Sequence, residues 1–193
     1  MSGGLRSFAK TLLAQFILCF AIRYRKLEVL TMTAKKLIYR QQIMAADPHA
    51  ISRIVQSSGF FSAEEIALAR ELAEEKLAQG NDCSYQFLFA DDKDTVLGYT
   101  CYGLIPATCG SYDLYWIAVD EQFRSQGLGK DLMRKTQQII RGTGGRQIYA
   151  ETSSRDQYKP THSFYESCGY QKEALLKDFY AEGDSKIIYV KTL

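Results

Sequence analysis

Histidine is scarce in this chain: His49 and His162 are the two present in 193 residues. A metal centre built on imidazoles is therefore not expected, and metal-free chemistry becomes the default. The five cysteines (Cys19, Cys83, Cys101, Cys109, Cys168) form no C-x-x-C pair. Their odd number and irregular spacing argue against both a zinc site and a secreted disulfide framework, and a reducing compartment, the cytoplasm, fits this usage best. A strong excess of one charge is also lacking. The formal net charge is +2, but Arg6, Lys10, Arg23, Arg25 and Lys26 face a lone acid, Glu28, in residues 1–34, which leaves 19 bases against 21 acids downstream. A domain so balanced has no general pull on nucleic acid, which is set aside as a partner.

A membrane-length apolar run is missing too. Leu12 to Ile22 is apolar except at Gln15 and follows two basic residues, as in a secretory signal, but it meets Arg23-Tyr24-Arg25-Lys26 instead of a small-residue cleavage site. About eleven helical residues span only roughly half of a bilayer's hydrocarbon core, so no stable membrane insertion is expected. Residues 1–34 read as an N-terminal extension: an interfacial anchor, a helix packed on the domain, or sequence upstream of a true start at Met32. Residues 35–193 hold every motif described below.

With 46% hydrophobic and 12% aromatic residues, the chain of 193 residues can bury one sizeable core. Leu37 to Ile43 reads as a strand, and Asp47-Pro48 as the cap and first residue of a helix burying Ile51, Ile54 and Val55. Ser62-Ala63-Glu64-Glu65 is a capping box opening a helix with Ile66, Leu68, Ala69, Leu72, Ala73 and Leu77 inward and a charged outer face, stopped by Gly80. Tyr85 to Ala90 and Thr95 to Ile105 read as a hairpin, and Tyr112 to Val119, apolar on nearly both faces, as a central strand. A helix follows with Leu128, Leu132, Met133, Ile139 and Ile140 inward, ending at Gly142 to Gly145. Arg146 to Thr152 reads as a strand and Pro160 to Gly169 as a short helix. Tyr170 to Tyr180 and Lys186 to Thr192 close the chain as strands. The order is α+β around one sheet, without repeats or low-complexity linkers.

The chemistry concentrates at Arg124-Ser125-Gln126-Gly127-Leu128-Gly129. A strand ending at Val119 and a helix beginning near Gly127 leave unpaired amides at the helix's positive end, which is an anion site. Glycines let the backbone lie against phosphate oxygens, while Arg124 and Lys130 add charge at the rim. An isolated G-x-G is more often a helix start with glycines chosen for turn geometry alone. A P-loop would need Gly at 124 and Ser or Thr at 131, where Arg124 and Asp131 stand, and a dinucleotide fingerprint would need Gly at 132, where Leu132 stands.

Val119 and Arg124 to Gly129 resemble the signature of the GNAT superfamily of acyl-CoA-dependent N-acetyltransferases, Val then Arg/Gln-x-x-Gly-x-Gly/Ala opening a helix. Phe164-Tyr165-Glu166-Ser167-Cys168-Gly169-Tyr170 is similar to the family's second motif, and the order of elements agrees over about Lys35 to Leu193. The resemblance implies a mixed, mostly antiparallel central sheet flanked by about four helices, with a splayed strand pair at the cofactor site. It implies acetyl-CoA as cofactor, its pantetheine arm against the exposed backbone of Ile117, Ala118 and Val119, and its pyrophosphate held by Arg124, Ser125, Gln126, Gly127, Leu128, Gly129 and Lys130.

Acetyl transfer to an amine needs a neutral amine, a polarised carbonyl and a proton for the departing thiolate. The resemblance gives the carbonyl to the backbone N–H of Val119 or Ile117 and the thiolate to Tyr165, whose phenol pKa near 10 lies above that of an alkyl thiol. For the amine, Asp113 stands where some histone-modifying members carry a glutamate base, and strand alternation puts Asp113, Tyr115, Ile117 and Val119 on one face. Glu151 is the rival base and His162 a third, while a strand-end carboxylate in solvent is the plain alternative for Asp113. The family often has Asn where Tyr158 stands, so the loop around Arg155 and Tyr158 is rewired. Phe60, Phe61, Tyr115 and Tyr158 are the candidates to line the acceptor pocket, core packing being the alternative for the two phenylalanines. The expected reaction is direct attack, in a ternary complex, by a primary amine of a small molecule. Protein or peptide acetylation and a non-catalytic acyl-CoA-binding module are the alternatives, and a homodimer stays open.

Overall fold

A computed structural model describes residues 37–193. The expectations for residues 1–34 lie outside the described residues. Seven strands form one sheet: β1 (Ile38–Arg40), β2 (Gln86–Asp92), β3 (Thr95–Leu104), β4 (Ser111–Val119), β5 (Gln147–Ser153), β6 (Gln171–Ala181) and β7 (Asp184–Thr192), in the spatial order β1-β2-β3-β4-β5-β7-β6. Every neighbouring pair is antiparallel except β4 and β5. Four α-helices flank the sheet: α1 (Asp47–Ser57), α2 (Ala63–Gln79), α3 (Leu128–Gly142) and α4 (Lys159–Ser167).

Sidedness follows from which apolar residues face which helix. Ile51, Ile54 and Val55 of α1 and Ala69 and Ala73 of α2 bury against Phe87, Phe89, Tyr99 and Cys101 on one face. Leu128, Leu132, Met133 and Ile140 of α3, with Tyr165 of α4, bury against Leu88, Tyr102, Leu114, Ile148 and Ala150 on the other. Each fully buried large side chain contributes roughly 1.5–3 kcal/mol, so α1 and α3 are each held by a few such residues, whereas α2 packs through Ala69 and Ala73 and α4 through Tyr165. One polar link crosses the second core, between the fully buried hydroxyls of Thr100 on β3 and Thr136 on α3, 2.8 Å apart. It fixes α3 against the strand beside the candidate site.

The capping box is present, with the Ser62 hydroxyl accepting from the Glu65 N–H at 3.2 Å and the Glu65 carboxylate accepting from the Ser62 N–H at 2.8 Å. Three local expectations need correction. Asp47 is not a cap. It lies inside the first turn, and its carboxylate takes both terminal nitrogens of Arg40 at 2.7 Å and the Met44 N–H at 2.6 Å, a network that also holds Asp91. Those bonds end the first strand at Arg40, short of Ile43. In α2, Leu68 and Leu77 are exposed while Lys76 is buried and donates to the Gln86 side chain at 3.2 Å; the inward face is Ala69 and Ala73, fully buried, flanked by Ile66 and Leu72.

Candidate active site

β4 runs beside β3 along its whole length, but beside β5 it pairs only from Ser111↔Gln147 to Leu114↔Ala150. The strands part where Tyr115 is an extra residue without a β3 partner, between Trp116↔Cys101 and Leu114↔Tyr102. A bulge bends its strand and adds twist, which gives a physical cause for the splay. Beyond it, the Asp120 N–H donates to the Leu97 carbonyl at 2.8 Å. Backbone groups alternate in direction along a strand, so Ala118 also addresses β3, while Ile117 and Val119 turn their amides toward the gap.

The bulge overturns the expected alternation. Ile117 and Val119 share the α3/α4 face with Leu114, whereas Trp116 and Ala118 pack on the α1/α2 face. Asp113, paired with Gly103, lies on that second face, and the Tyr115 ring stands over the same glycine. Asp113 and Tyr115 are therefore opposite Ile117 and Val119, because one added residue reverses every side chain beyond it.

At the end of β4 the chain makes a tight approach to α3. Asp120 caps a short turn by accepting from the Gln122 N–H at 3.1 Å and is ion-paired with Arg53 of α1. Ser125 and Gly127 then adopt positive φ, +60° and +86°. The first helical bond runs from the Asp131 N–H to the Gly127 carbonyl, and Gly127 supplies no side-chain cap. The amides of Leu128, Gly129 and Lys130 consequently have no acceptor within the helix, and the helix dipole adds positive potential there. A Cβ on Gly127 would meet nothing within 4 Å, so the chain is open on that side; glycine is needed there for φ. On Gly129 a Cβ would lie 3.3 Å from Cε2 of Phe164. Arg124 differs from expectation in its Nε, which donates to the Val119 carbonyl at 3.1 Å and so pins the turn to the strand end.

The α1/α2 face carries the acids. Tyr149 pairs with Asp113 across the parallel ladder, and Glu151, two residues further along β5, projects to the same side. Burial pushes the Asp113 carboxyl up, the Glu151 charge pushes it further, and Lys186 opposes both. Glu151 is itself paired with Lys186 Nζ at 2.6 Å. Burial likewise raises the Tyr115 phenol, to about 12, and its ring meets Tyr85 edge-on at 5.2 Å. Lys186, Phe179 and Tyr180 belong to this group and escape a reading of the sequence. Pairing of β6 with β7 jumps from Leu176↔Lys186 to Ala181↔Asp184, so residues 177–180 arch out of the sheet with Asp178 at φ +53°. The arch sets the Phe179 ring centroid 3.8 Å from Lys186 Nζ. The Phe-Tyr dipeptide before Glu182-Gly183-Asp184 is the one signal in the sequence that could have suggested it.

Tyr165 is buried, with ring centroids 5.4 Å from Tyr189 and 5.5 Å from Tyr170. Burial, reinforced by Cys168 and Tyr189, pushes its phenol well above the usual range, so it stays protonated at neutral pH. The other candidates are dispersed. Phe61 packs on Trp116 at 5.2 Å, on the acid-bearing face, whereas Phe60 is exposed. Tyr158 lies under the Arg155 guanidinium at 5.6 Å, and Arg155 is bound to Asp184 at 3.0 Å. His162 Nε2 is 2.9 Å from the Ser153 carbonyl, an atom that can only accept, so the ring is engaged as a donor there. A cavity of about 300 Å³ along β5, β7 and β6, lined by Gln147, Tyr149, Gln171, Glu173 and Lys191 among others, includes none of the candidate site residues. No helix among the described residues is long and apolar enough to cross a membrane.

Comparison with known proteins agrees with this geometry. Residues 83–172 match the model of an acetyltransferase (GNAT) domain. A crystal structure from Desulfovibrio desulfuricans, assigned to the GNAT family of acetyltransferases, is 46% identical, covers 81% of this chain and 98% of its own, and superposes with a TM-score of 0.79. The chain belongs to the GNAT family, and it is an enzyme of the acyl-CoA N-acyltransferase class. More distant structures share the fold. The ribosomal-protein-S18-alanine N-acetyltransferase of Escherichia coli is 18% identical, over 81% of this chain and 93% of that one, with a TM-score of 0.64. An aminoglycoside 6′-N-acetyltransferase solved with coenzyme A is also 18% identical, over 80% and 96%, with a TM-score of 0.64. No curated protein matches the sequence significantly.

Proposed function

We propose that the enzyme transfers an acetyl group from acetyl-CoA to a primary amine of a small molecule by direct attack in a ternary complex. The observation that carries this reading is the coincidence of two features at one end of β4: amides of Ile117 and Val119 facing an open gap, and the uncapped first turn of α3 beside it. A diphosphate suits that turn, since Gly127 leaves it open and the amides of Leu128, Gly129 and Lys130 are free to donate. Ser125 and Gln126 form the approach to it, Lys130 adds charge, and Arg124 holds the turn on Val119. When bound there, acetyl-CoA supplies an activated acyl carbon.

The chain's own residues supply the rest. An amide of Ile117 or Val119 donates to the thioester oxygen, where negative charge grows during attack. Asp113 takes a proton from the incoming ammonium, and its raised pKa brings it nearer to a base effective at neutral pH. Tyr165 donates to the departing sulfur. The acceptor is held on the α1/α2 face by Tyr115 and Phe61, with Phe60 and Tyr158 at its margins. Support for a small acceptor comes from the grouping of Tyr115, Phe179 and Tyr180 with two acids on this face and from the lack of a long run of one charge in the sequence. Relatives of this fold acetylate both kinds of acceptor, a ribosomal protein in one case and an aminoglycoside in another. Thiol release from acetyl-CoA across a panel of small amines and of peptides tests the reading. Saturable turnover with a small amine is expected; turnover with peptides alone would replace the acceptor class, and coenzyme A binding without turnover on either panel would leave a binding module.

A further inference from the structure

Asp113 and Glu151 both carry a carboxylate to the acceptor face, and their neighbours are unlike. Glu151 Oε2 is 2.6 Å from Lys186 Nζ, on a side chain that is only 13% exposed. The same ammonium lies over Phe179 at 3.8 Å and 5.8 Å from the Tyr180 centroid. A lysine held by a carboxylate on one side and a π-face on another is more firmly placed than an exposed surface pair. Asp113 forms no ion pair among the described residues. The groups facing it are Tyr115 on its own strand, Tyr149 and Glu151 on β5 and Lys186 on β7, while Gly103, its partner on β3, brings no charge.

We propose that Lys186 is a positioning residue of the transfer reaction: pinned beneath the Phe179 arch, it pairs off Glu151 and leaves Asp113 as the carboxylate that receives the amine's proton. Without Lys186, two unpaired carboxylates would share one face, and each would hold a proton more tightly because of the other. With it, the roles are divided. Asp113 takes one proton from R–NH3+ and the nitrogen forms the new C–N bond. The C–S bond breaks, and the sulfur takes the proton of Tyr165. The second nitrogen proton returns to the Tyr165 phenolate through solvent, and Asp113 releases its proton to solvent. Lys186 exchanges no proton; it keeps Glu151 from competing. The arch adds a reason for Phe179 and Tyr180 to be aromatic although about half exposed, at 52% and 48%.

This inference rests on the acetyl-transfer reading for its role, but its test does not need turnover. Carboxyl 13C NMR titration of the full chain, without cofactor or amine, follows Asp113 and Glu151 directly, with Asp113→Asn and Glu151→Gln giving the assignments. Asp113 is expected to titrate above the ordinary aspartate range, to rise further in Lys186→Met, to return in Lys186→Arg, and to fall again in Lys186→Met/Glu151→Gln. An Asp113 titration unmoved in a folded Lys186→Met protein overturns the proposal. Should that variant fail to fold, Glu151→Gln alone must lower the Asp113 titration, and no movement overturns it equally. In kinetics with acetyl-CoA and one amine common to all variants, the acid limb of kcat/KM moves to higher pH in Lys186→Met. Asp113→Asn costs about 10²–10⁴-fold, the range for losing a general base. If Glu151→Gln carries that loss instead, Lys186 holds the base itself and the assignment is reversed.

Discussion

The ring of Phe164 rests on the first turn of α3, its Cε2 3.3 Å from the position a Cβ of Gly129 would occupy. The glycine turn and the motif of residues 164–170 are thus a single packed unit. Phe164 sets the height of α4 above the first turn of α3 and so places the next residue, Tyr165, in the α3/α4 core. Gly129 is glycine because an aromatic ring lies on it, whereas Gly127 is glycine because of its backbone angle.

Tyr165→Phe removes one hydroxyl from an aromatic cluster and leaves the packing in place. Turnover is expected to fall about 10²–10⁴-fold while coenzyme A affinity stays close to wild type, the scale of losing one positioned acid. Steady-state kinetics with calorimetry in parallel reads both quantities, and unchanged turnover removes Tyr165 from the mechanism.

Gly127 separates conformational strain from ligand contact. Gly127→Ala and Gly127→Leu should each cost about 1–2 kcal/mol of stability, because both force an L-residue to positive φ, where the protein itself leaves open space. Only the leucine should also abolish saturable coenzyme A binding. Equal affinity for both variants and wild type would contradict an anion site at this turn.

Asp113 is predicted to be an expensive residue for the fold. Its folded pKa is raised, chiefly by burial and then by Glu151. The folded state therefore binds its proton more tightly than the unfolded chain does, so the associated stability is present at acidic pH and is lost as pH rises through the folded pKa. Asp113→Asn should raise Tm at neutral pH, with the gain shrinking as pH falls toward the ordinary aspartate range. A Tm difference independent of pH would mean that the carboxyl is not perturbed by its surroundings.

Much of this architecture was legible in the residues. The capping box at Ser62, the glycine stop at Gly80, the strand running into the glycine turn and the Pro160 helix all depend on local chemistry and appear where local chemistry puts them. The splay was reachable only through resemblance, since it depends on where β4 leaves β5. The sidedness of Asp113 was misread for a related reason. A bulge at Tyr115 is set by pairing with β3, and period-two alternation has no means of registering an inserted residue. The Phe179 arch escaped similarly, because a run with strand-like composition gives no sign that four of its residues leave the ladder. Leu68 and Leu77 lie outside the inward stripe of Ile66, Ala69, Leu72 and Ala73, because an apolar residue at the edge of a helical face gives no sign of which way it turns.

Acetyl transfer at this site requires that coenzyme A be held by the first turn of α3. Isothermal titration calorimetry of the purified full chain with coenzyme A and acetyl-CoA tests this directly. Saturable binding near one equivalent, lost in Gly127→Leu and retained in Tyr165→Phe, is the predicted result. Absence of saturation with either compound would contradict it.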